Sequence, residues 1–387
     1  MKFTCNSDTL QKSLSIVSKA ISKRSTLPIM ENILLDLKGT ELSLRGHDLE
    51  IGIEQKITVD SSGQDGVALI KADTMGSIMS KMETQCLEVS ANESNKILIK
   101  AEQVDFDILG NAVEEYPVFP SIETGHRVKM TADTLVSFIK HTLFAVSMDE
   151  TKPFLNGVLV KVESGILSFV ATDGFRLALA TTSFLDEQTS FSMIVPYKTM
   201  NELHKVLLPY DGETEVEMNI SPNQITFMVP GFVLISRLIE GQFPDYNQVL
   251  PQETANHYSI PTKLFLSAAE RAAIIASHSN NVVRLIFNKD TIRVKAHAAK
   301  LGEFKEDLQS QRLQGEGEFS ISYNVKLLLD ALKNIQTDDL FIRFNHELSP
   351  CVIKPSDSET PYTYIVMPIR TGDFESVDET SSAEAAS

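Results

Sequence analysis

Three stretches of this chain decide its fold: SDTLQKSLSIVSKAISKR at residues 7–24, TADTLVSFIKHTLFAVS at 131–147, and PTKLFLSAAERAAIIAS at 261–277. In each of them apolar or small side chains recur every three or four residues, as they do on the inward face of an amphipathic helix. Similar segments that return at a regular interval indicate internal repeats. We therefore predict three structural repeats, each of which opens with a helix.

A second helical segment and a pair of short apolar runs follow in each repeat. The helical segments are KADTMGSIMSKM at 71–82, PYKTMNELHKVL at 196–207 and SYNVKLLLDALK at 322–333. The apolar runs are 87–89 with 97–99, 216–220 with 225–229, and 340–344 with 351–353. Because polar turn residues separate the runs of each pair, we expect hairpins. The predicted fold class is α+β, with three repeated domains that each pack two helices on antiparallel sheets.

Proline-bearing segments close the repeats, and proline suits a linker or a strand edge better than a helix. These segments are EEYPVFP at 114–120, GQFPDYNQVLP at 241–251 and VMPIR at 366–370. We therefore expect domains at residues 1–123, 124–252 and 253–370. The remaining residues, 371–387, carry five acids and no base, which predicts an acidic disordered tail.

Composition narrows the class of protein. The chain has 387 residues, of which 42% are hydrophobic, enough to build several cores. There is no apolar run of 18 residues, and the opening MKFTCNSDTL lacks the pattern of a secretion signal, so we expect a cytoplasmic protein without a membrane partner. Cys5, Cys86 and Cys351 are far apart with no C-x-x-C pair, so we expect buried or incidental thiols.

The charges are unevenly distributed along the chain. The whole chain carries a net charge of −17, yet the six helical segments contain thirteen basic and six acidic residues. Such a bias suggests a surface that meets a phosphate backbone without reading its sequence. The alternative is that these are ordinary solvated helix faces.

The local signatures of catalysis are absent from the sequence. It contains no phosphate loop, no G-x-G-x-x-G, no H-E-x-x-H and no G-x-S-x-G, so we expect no enzyme activity, no cofactor and no metal. Asp173 in ATDGFRLA reads as a turn residue whose carboxylate bonds the backbone, while Gly174 supplies the dihedral angle. One alternative is an enzyme with Asp173 as acid/base and Arg176 as anchor. Another is an acidic scaffold that binds only proteins.

Several longer strings resemble one family, the bacterial sliding clamps that form the beta subunit of DNA polymerase III. They are MKFT at 1–4, RSTLPI at 24–29, GHDLEI at 46–51, EEYPVFP at 114–120, FLNGVLV at 154–160, ATDGFRLALA at 171–180, EGQFPDYNQVLP at 240–251 and YIVMPIR at 364–370. The resemblance runs from Met1 to about Arg370. It implies a non-catalytic processivity factor that encircles duplex DNA, slides along it and tethers the replicative polymerase.

The resemblance also implies a head-to-tail homodimer closed into a ring, with the basic helices lining the hole. A geometric estimate agrees with two copies. Six helices about 10 Å apart leave a hole of only about 9 Å, whereas twelve leave roughly 28 Å, enough for a duplex about 20 Å across. The implied partners are DNA, the polymerase, an ATP-driven clamp loader and other replication and repair proteins that bind through short Gln/Leu-rich peptides.

The same resemblance implies roles for individual residues. Arg24 and Lys198 match DNA-facing positions, and Lys12 and Lys81 are plausible from their helices. The dimer contact joins Ile78, Met82 and Ile108 to Ile274 and Ile275. The peptide pocket comprises Leu155, Thr172, Gly174, Phe175, Arg176, Leu177, Pro244, Val249, Leu348, Ile365, Met367, Pro368 and Ile369. The chain departs from the family pattern at Lys152-Pro153, Asn247-Gln248 and Pro350.

Overall fold

A computed structural model describes residues 1–22, 27–82, 86–122, 125–184, 189–357 and 362–370. These residues contain six α-helices and 26 strands. The helices are α1 Ser7–Val17, α2 Ala72–Met79, α3 Ala132–Thr142, α4 Tyr197–Leu207, α5 Thr262–Ala276 and α6 Val325–Leu332. Each lies within one of the six predicted helical segments.

In every repeat one strand precedes the first helix and three follow the second helix, while five, four and five strands lie between the two helices of the successive repeats. The strands are β1 Lys2–Asn6, β2 Asn32–Lys38, β3 Glu41–His47, β4 Ile51–Thr58, β5 Asp60–Gln64, β6 Gly66–Lys71, β7 Cys86–Ala91, β8 Lys96–Ala101, β9 Val104–Leu109, β10 His126–Thr131, β11 Gly157–Glu163, β12 Ile166–Thr172, β13 Arg176–Ser183, β14 Phe191–Pro196, β15 Glu215–Ile220, β16 Gln224–Val229, β17 Phe232–Arg237, β18 Asn256–Pro261, β19 Val282–Phe287, β20 Thr291–Ala298, β21 Gly302–Gln309, β22 Gln311–Gln314, β23 Phe319–Asn324, β24 Asp339–Phe344, β25 Cys351–Pro355 and β26 Tyr362–Val366. The three predicted hairpins are confirmed as β7–β8, β15–β16 and β24–β25.

The chain divides into two compact units. Unit 1 contains Met1–Ser137 and Val195–Glu240, and unit 2 contains Phe138–Ile194 and the described residues from Gly241 onward. The middle repeat therefore contributes to both units. The expected domain boundaries after residues 123 and 252 stay predictions.

Each unit contains two antiparallel sheets. In unit 1 the strand orders are β5-β1-β7-β8-β9 and β10-β15-β16-β17-β4-β3-β2-β6. In unit 2 they are β14-β11-β12-β13-β26-β25-β24-β18-β22 and β21-β20-β19-β23. The predicted α+β class with helices on antiparallel sheets is confirmed.

The largest sheet of each unit is continuous across two repeats. In unit 1 β17 pairs with β4, with Leu234 opposite Ile53. In unit 2 β13 pairs with β26, with Leu177 opposite Ile365. Neighbouring repeats are thus joined by backbone hydrogen bonds as well as by side-chain packing.

Helix α1 shows how the helices pack on the sheets. Its apolar side chains Leu10, Leu14 and Val17 are fully buried, and the helix lies against β3 and β4. A Cβ atom at Gly46 on β3 would lie 2.9 Å from Val17 Cγ1, so the glycine allows this close approach.

Helix α1 is shorter than the segment that predicted it. The α-helix ends at Val17 and continues only as a 3₁₀ turn over Ser18–Ala20. The Ser18 hydroxyl donates to the Leu14 carbonyl at 2.6 Å, which supplies one of the partners that a helix end needs. Arg24, at the end of the predicted segment, lies outside the described residues.

The three cysteines form no disulfide, and two of them are buried as expected. Cys5 and Cys351 are buried while Cys86 is exposed. Burial is the main cause that raises the pKa of both Cys5 and Cys351 to about 12, so these thiols stay protonated at neutral pH. Among the described residues no helix is long and apolar enough to span a membrane.

The N-cap of α1 provides a stability test. The Asn6 side-chain oxygen accepts hydrogen bonds from the backbone N–H groups of Asp8 and Thr9, at 2.9 and 3.2 Å. We expect Asn6→Ala to lower the free energy of unfolding by about 1 kcal/mol, because the first turn loses these acceptors. Asn6→Asp keeps an acceptor and should stay within about 0.5 kcal/mol of the native protein in urea titrations. Equal losses in both variants would contradict the capping role.

Candidate functional site

The residues of the predicted peptide pocket lie at the strand ends on one side of the nine-stranded sheet of unit 2. Neighbouring strands β11, β12, β13, β26 and β25 begin or end there, since Thr172 lies opposite Leu177 and Val366 lies opposite both Arg176 and Cys351. Leu155, Phe175, Leu348 and Met367 flank these strand ends in sequence. The structure therefore gathers residues that are up to about 200 positions apart along the chain.

Large apolar side chains are exposed beside these strand ends. Phe175 is 69% exposed, Leu348 is 52% exposed and Val249 is 38% exposed, while Leu155, Leu177 and Ile365 are buried. The Met367 N–H donates to the Phe175 carbonyl at 2.9 Å and so fixes the end of β26 beside the 172–176 turn. Exposed apolar groups over a rigid sheet suit the binding of an apolar ligand.

The turn at 172–176 is held by Asp173. Its Oδ1 accepts hydrogen bonds from the backbone N–H groups of Phe175 and Arg176, at 2.9 and 3.0 Å. Gly174 has φ +91°, a region that glycine adopts without steric cost. The prediction of a turn at T-D-G is confirmed, and Phe175 is presented at its tip.

Arg176 is fully engaged beneath this turn. Its guanidinium donates to Asp173 Oδ2 at 3.0 Å, to Asp330 Oδ2 at 2.5 Å and to the Phe144 carbonyl. It also lies over the Phe144 ring, 5.6 Å from the ring centre. Burial alone would lower the pKa of Arg176, but the hydrogen bond to Asp330 and nearby acids raise it. Arg176 therefore positions the turn, and this network disfavours Asp173 and Arg176 as an acid/base and anchor pair.

The segment 241–249 lies close to the same region. A Cβ atom at Gly241 would lie 3.3 Å from the Phe154 Cβ, next to Leu155. Asp245 caps a 3₁₀ turn over Tyr246–Val249 by accepting from the Asn247 N–H at 3.2 Å. Pro244 and Val249 are both exposed on this segment.

The structure repeats the Asp173 turn in unit 1. Asp48 Oδ1 accepts from the backbone N–H groups of Glu50 and Ile51, at 3.1 and 2.9 Å. Leu49 has φ +76°, as Gly174 has a positive φ in the other turn. The internal repeat thus extends to individual hydrogen bonds.

The predicted DNA-facing lysines differ in their surroundings. Lys12 and Lys81 are exposed. Lys198 pairs with Asp48, with 2.5 Å between Nζ and Oδ2. The sequence reasoning missed Asp48 because it lies 150 positions away. The match between GHDLEI and ATDGFRL could have marked Asp48 as a turn residue, but it carries no information about the ion pair with Lys198. Arg24 falls outside the described residues, so the structure leaves its role a prediction.

The predicted dimer residues lie on two helices, on the segment after one of them and on one edge strand. Ile78 and Met82 belong to α2 and the turn after it, and Ile108 is on β9, the last strand of its sheet. Ile274, which is 64% exposed, and Ile275 lie on α5, which packs against the edge strand β21. Within the described ranges, no group of three His, Cys, Asp or Glu side chains could hold a metal ion.

Three α+β repeats joined in pairs through continuous antiparallel sheets, with exposed apolar side chains beside the strand ends of one sheet, are typical of DNA clamps. Family models of the DNA polymerase III beta subunit match almost the entire chain. The N-terminal domain matches residues 1–120, the central domain 129–245 and the C-terminal domain 247–370. This chain belongs to the DNA polymerase III beta-subunit family.

Similar proteins and structures agree with that assignment. The beta sliding clamp of Bacillus subtilis (strain 168) is 32% identical over 381 residues, covering 96% of this chain and 100% of the relative. A solved structure of the Bacillus subtilis DNA polymerase sliding clamp has a TM-score of 0.91 at 31% identity, covering 96% of this chain and 100% of that one. A Pseudomonas aeruginosa sliding clamp bound to griselimycin has a TM-score of 0.90 at 27% identity, with the same coverage.

The two equivalent turns generate a paired prediction. We expect Asp173→Ala and Asp48→Ala each to lower the free energy of unfolding by about 1–3 kcal/mol, because each leaves backbone donors and a cation without their carboxylate. Asp173→Asn and Asp48→Asn keep an acceptor oxygen and should lose less. Urea titrations followed by circular dichroism check this. Alanine variants as stable as the native protein would contradict the structural role of the turns.

Proposed function

We propose that this protein is a DNA sliding clamp, a processivity factor that encircles duplex DNA as a homodimer and tethers the replicative polymerase. The observation that carries the proposal is the match of three repeats, over 96% of the chain, to a solved sliding clamp at a TM-score of 0.91. The proposed clamp domains are residues 1–123, 124–252 and 253–370. The protein makes and breaks no covalent bond, and it acts in the cytoplasm, where bacterial DNA is copied.

The joining of repeats inside the chain supports a proposal for how two copies close the ring. Within the chain, neighbouring repeats pair β17 with β4 and β13 with β26. Among the described residues, β9 and β21 are edge strands, each paired with a neighbour on one side only. Edge strands are sites for strand addition. In the proposed dimer, β9 of one copy meets β21 of the other head to tail, and the two equivalent contacts close the ring. The apolar side chains of Ile78, Met82, Ile108, Ile274 and Ile275 would form the core of that contact.

A sliding clamp must be attracted to DNA without binding it tightly or recognising its sequence. Lys12, Lys81, Lys198 and Arg24 are the proposed phosphate-facing cations on a chain whose net charge is −17. Contacts between such side chains and phosphates are exchangeable and often bridged by water, so the ring is free to move. The ion pair with Asp48 holds Lys198 in place and weakens its attraction to a phosphate. Topological closure, rather than affinity, then keeps the clamp on DNA.

The exposed apolar side chains beside the strand ends of unit 2 form the proposed docking site for partners. Phe175, Leu348 and Val249 offer exposed surface for the apolar side chains of short Gln/Leu-rich peptides. The half-buried Met367 adds a flexible side chain that can adapt to different peptides. The replicative polymerase, other replication and repair proteins and a separate ATP-driven loader would compete for this site.

Retention on circular DNA tests the proposal. We expect the clamp, once loaded on a nicked circle by a cognate loader with ATP, to remain bound through gel filtration. Cutting the circle with a restriction enzyme should release most of it, because the ring then slides off the ends. Equal retention on circular and linear DNA would indicate ordinary electrostatic binding and contradict the clamp mechanism. A known clamp loaded by the same enzyme serves as the control.

The dimer contact has its own test. We expect Ile274→Ala combined with Ile275→Ala to produce monomers, since the contact loses much of its apolar core. Multi-angle light scattering would then give about half the native mass. Leu264→Ala removes an exposed apolar side chain from the opposite end of α5 and should leave the dimer intact. A dimeric mass for the double variant would refute the assigned interface.

A further inference from the structure

Three basic side chains cluster on one face of the nine-stranded sheet of unit 2. They are His257 on β18, Arg343 on β24 and Lys354 on β25. Arg343 Nε donates to His257 Nε2 at 3.1 Å. The Arg343 guanidinium lies over the Phe341 ring, 5.4 Å from its centre, and the His257 ring meets the same ring edge-on at 4.8 Å. These contacts hold Arg343 and His257 in place.

Among the described residues, the charged neighbour of both His257 and Lys354 is Arg343 rather than an acid, although the chain as a whole is acidic. By contrast, a cation on the large sheet of unit 1 is neutralised, since Arg45 pairs with Asp36 at 3.3 Å and with Glu54 at 2.8 Å. Lys354 is half-buried, and burial followed by the charge of Arg343 lowers its pKa. A bound anion would relieve this repulsion.

The cluster lies on the same face as the proposed peptide pocket. Cross-strand neighbours form one continuous row across the sheet, which runs through Thr172, Leu177, Ile365, Val352, Arg343 and His257. The Tyr364 hydroxyl donates to the Leu327 carbonyl on α6 at 2.6 Å, so the adjacent Ile365 faces away from that helix. The row therefore leads from pocket residues to the cations on the face opposite α6.

We propose that His257, Arg343 and Lys354 form an anion subsite that binds a carboxylate side chain of the partner peptide held in the pocket. The inference rests on the proposed function and deepens it, because it selects partners with an acidic residue flanking their apolar core. Ile365 and Arg343 are two strands apart, about 10 Å, which an extended peptide covers in about three residues.

The chemistry of the cluster fits a carboxylate. The guanidinium of Arg343 offers a planar fork of donors, and Lys354 adds a second positive charge one strand away. The site is only partly buried, so solvent screens the attraction. We expect an acidic residue at the right spacing to increase peptide affinity about fivefold, and added salt to reduce that advantage.

Fluorescence anisotropy with three labelled peptides and the full-length protein tests the subsite. All three share one Gln/Leu-rich core. One is neutral, one carries Asp three residues before the core, and one carries Asp three residues after it. We expect one of the acidic peptides to bind about fivefold tighter than the neutral peptide. Arg343→Gln with Lys354→Gln should abolish that advantage and leave the affinity for the neutral peptide unchanged, which also shows that the variant is folded.

A matched variant controls for net charge. Lys289→Gln with Lys300→Gln removes two exposed lysines elsewhere in unit 2 and should preserve the advantage of the acidic peptide. Equal binding of all three peptides to the native protein, or an advantage that survives Arg343→Gln with Lys354→Gln, would overturn the subsite and leave the proposed pocket intact. Failure of the neutral peptide to bind would overturn the pocket and the subsite together.

Discussion

Antiparallel strand pairing between repeats is the interaction on which the rest of this structure depends. The β17–β4 and β13–β26 pairs convert separate repeats into two continuous sheets. Backbone hydrogen bonds fix the register, so a slip by one residue would turn Leu177 and Ile365 to the opposite face of the sheet. This register determines three features: the proposed peptide pocket, the cross-strand row that leads to Arg343, and the hydrogen bonds of Arg176.

The same pairing explains why the middle repeat is divided between the two units. Its strands β15–β17 belong with β2–β4, and its strands β11–β13 belong with β24–β26. One set of strands in the middle repeat extends a sheet of the first repeat, and the other set extends a sheet of the third repeat. The middle repeat therefore does not form a compact unit of its own. The sequence divides into three similar repeats. The structure divides into two compact units, because each large sheet joins strands from two repeats.

The sequence predicts the helices and hairpins because those patterns are local. Leu10, Leu14 and Val17 recur with helical spacing, and all three are buried. The end of α1 was not predictable, because a 3₁₀ turn and a serine hydroxyl terminate it rather than a proline or glycine. The pocket residues came only from the family resemblance, because Phe175 and Leu348 look like ordinary core residues until the fold exposes them. Lys198 and Asp48 could not be paired from the sequence, since nothing local connects positions so far apart.

The two Asp turns show how one scaffold serves different chemistry. In both turns an Asp carboxylate accepts two backbone N–H groups, and the following residue has a positive φ. Asp173 also binds Arg176, whose other donors reach Asp330 and Phe144, so its turn is rigid enough to hold Phe175 out in solvent. Asp48 instead binds Lys198 from the next repeat and reduces a positive charge. Because the backbone geometry is shared, the difference in use comes from which cation each carboxylate holds.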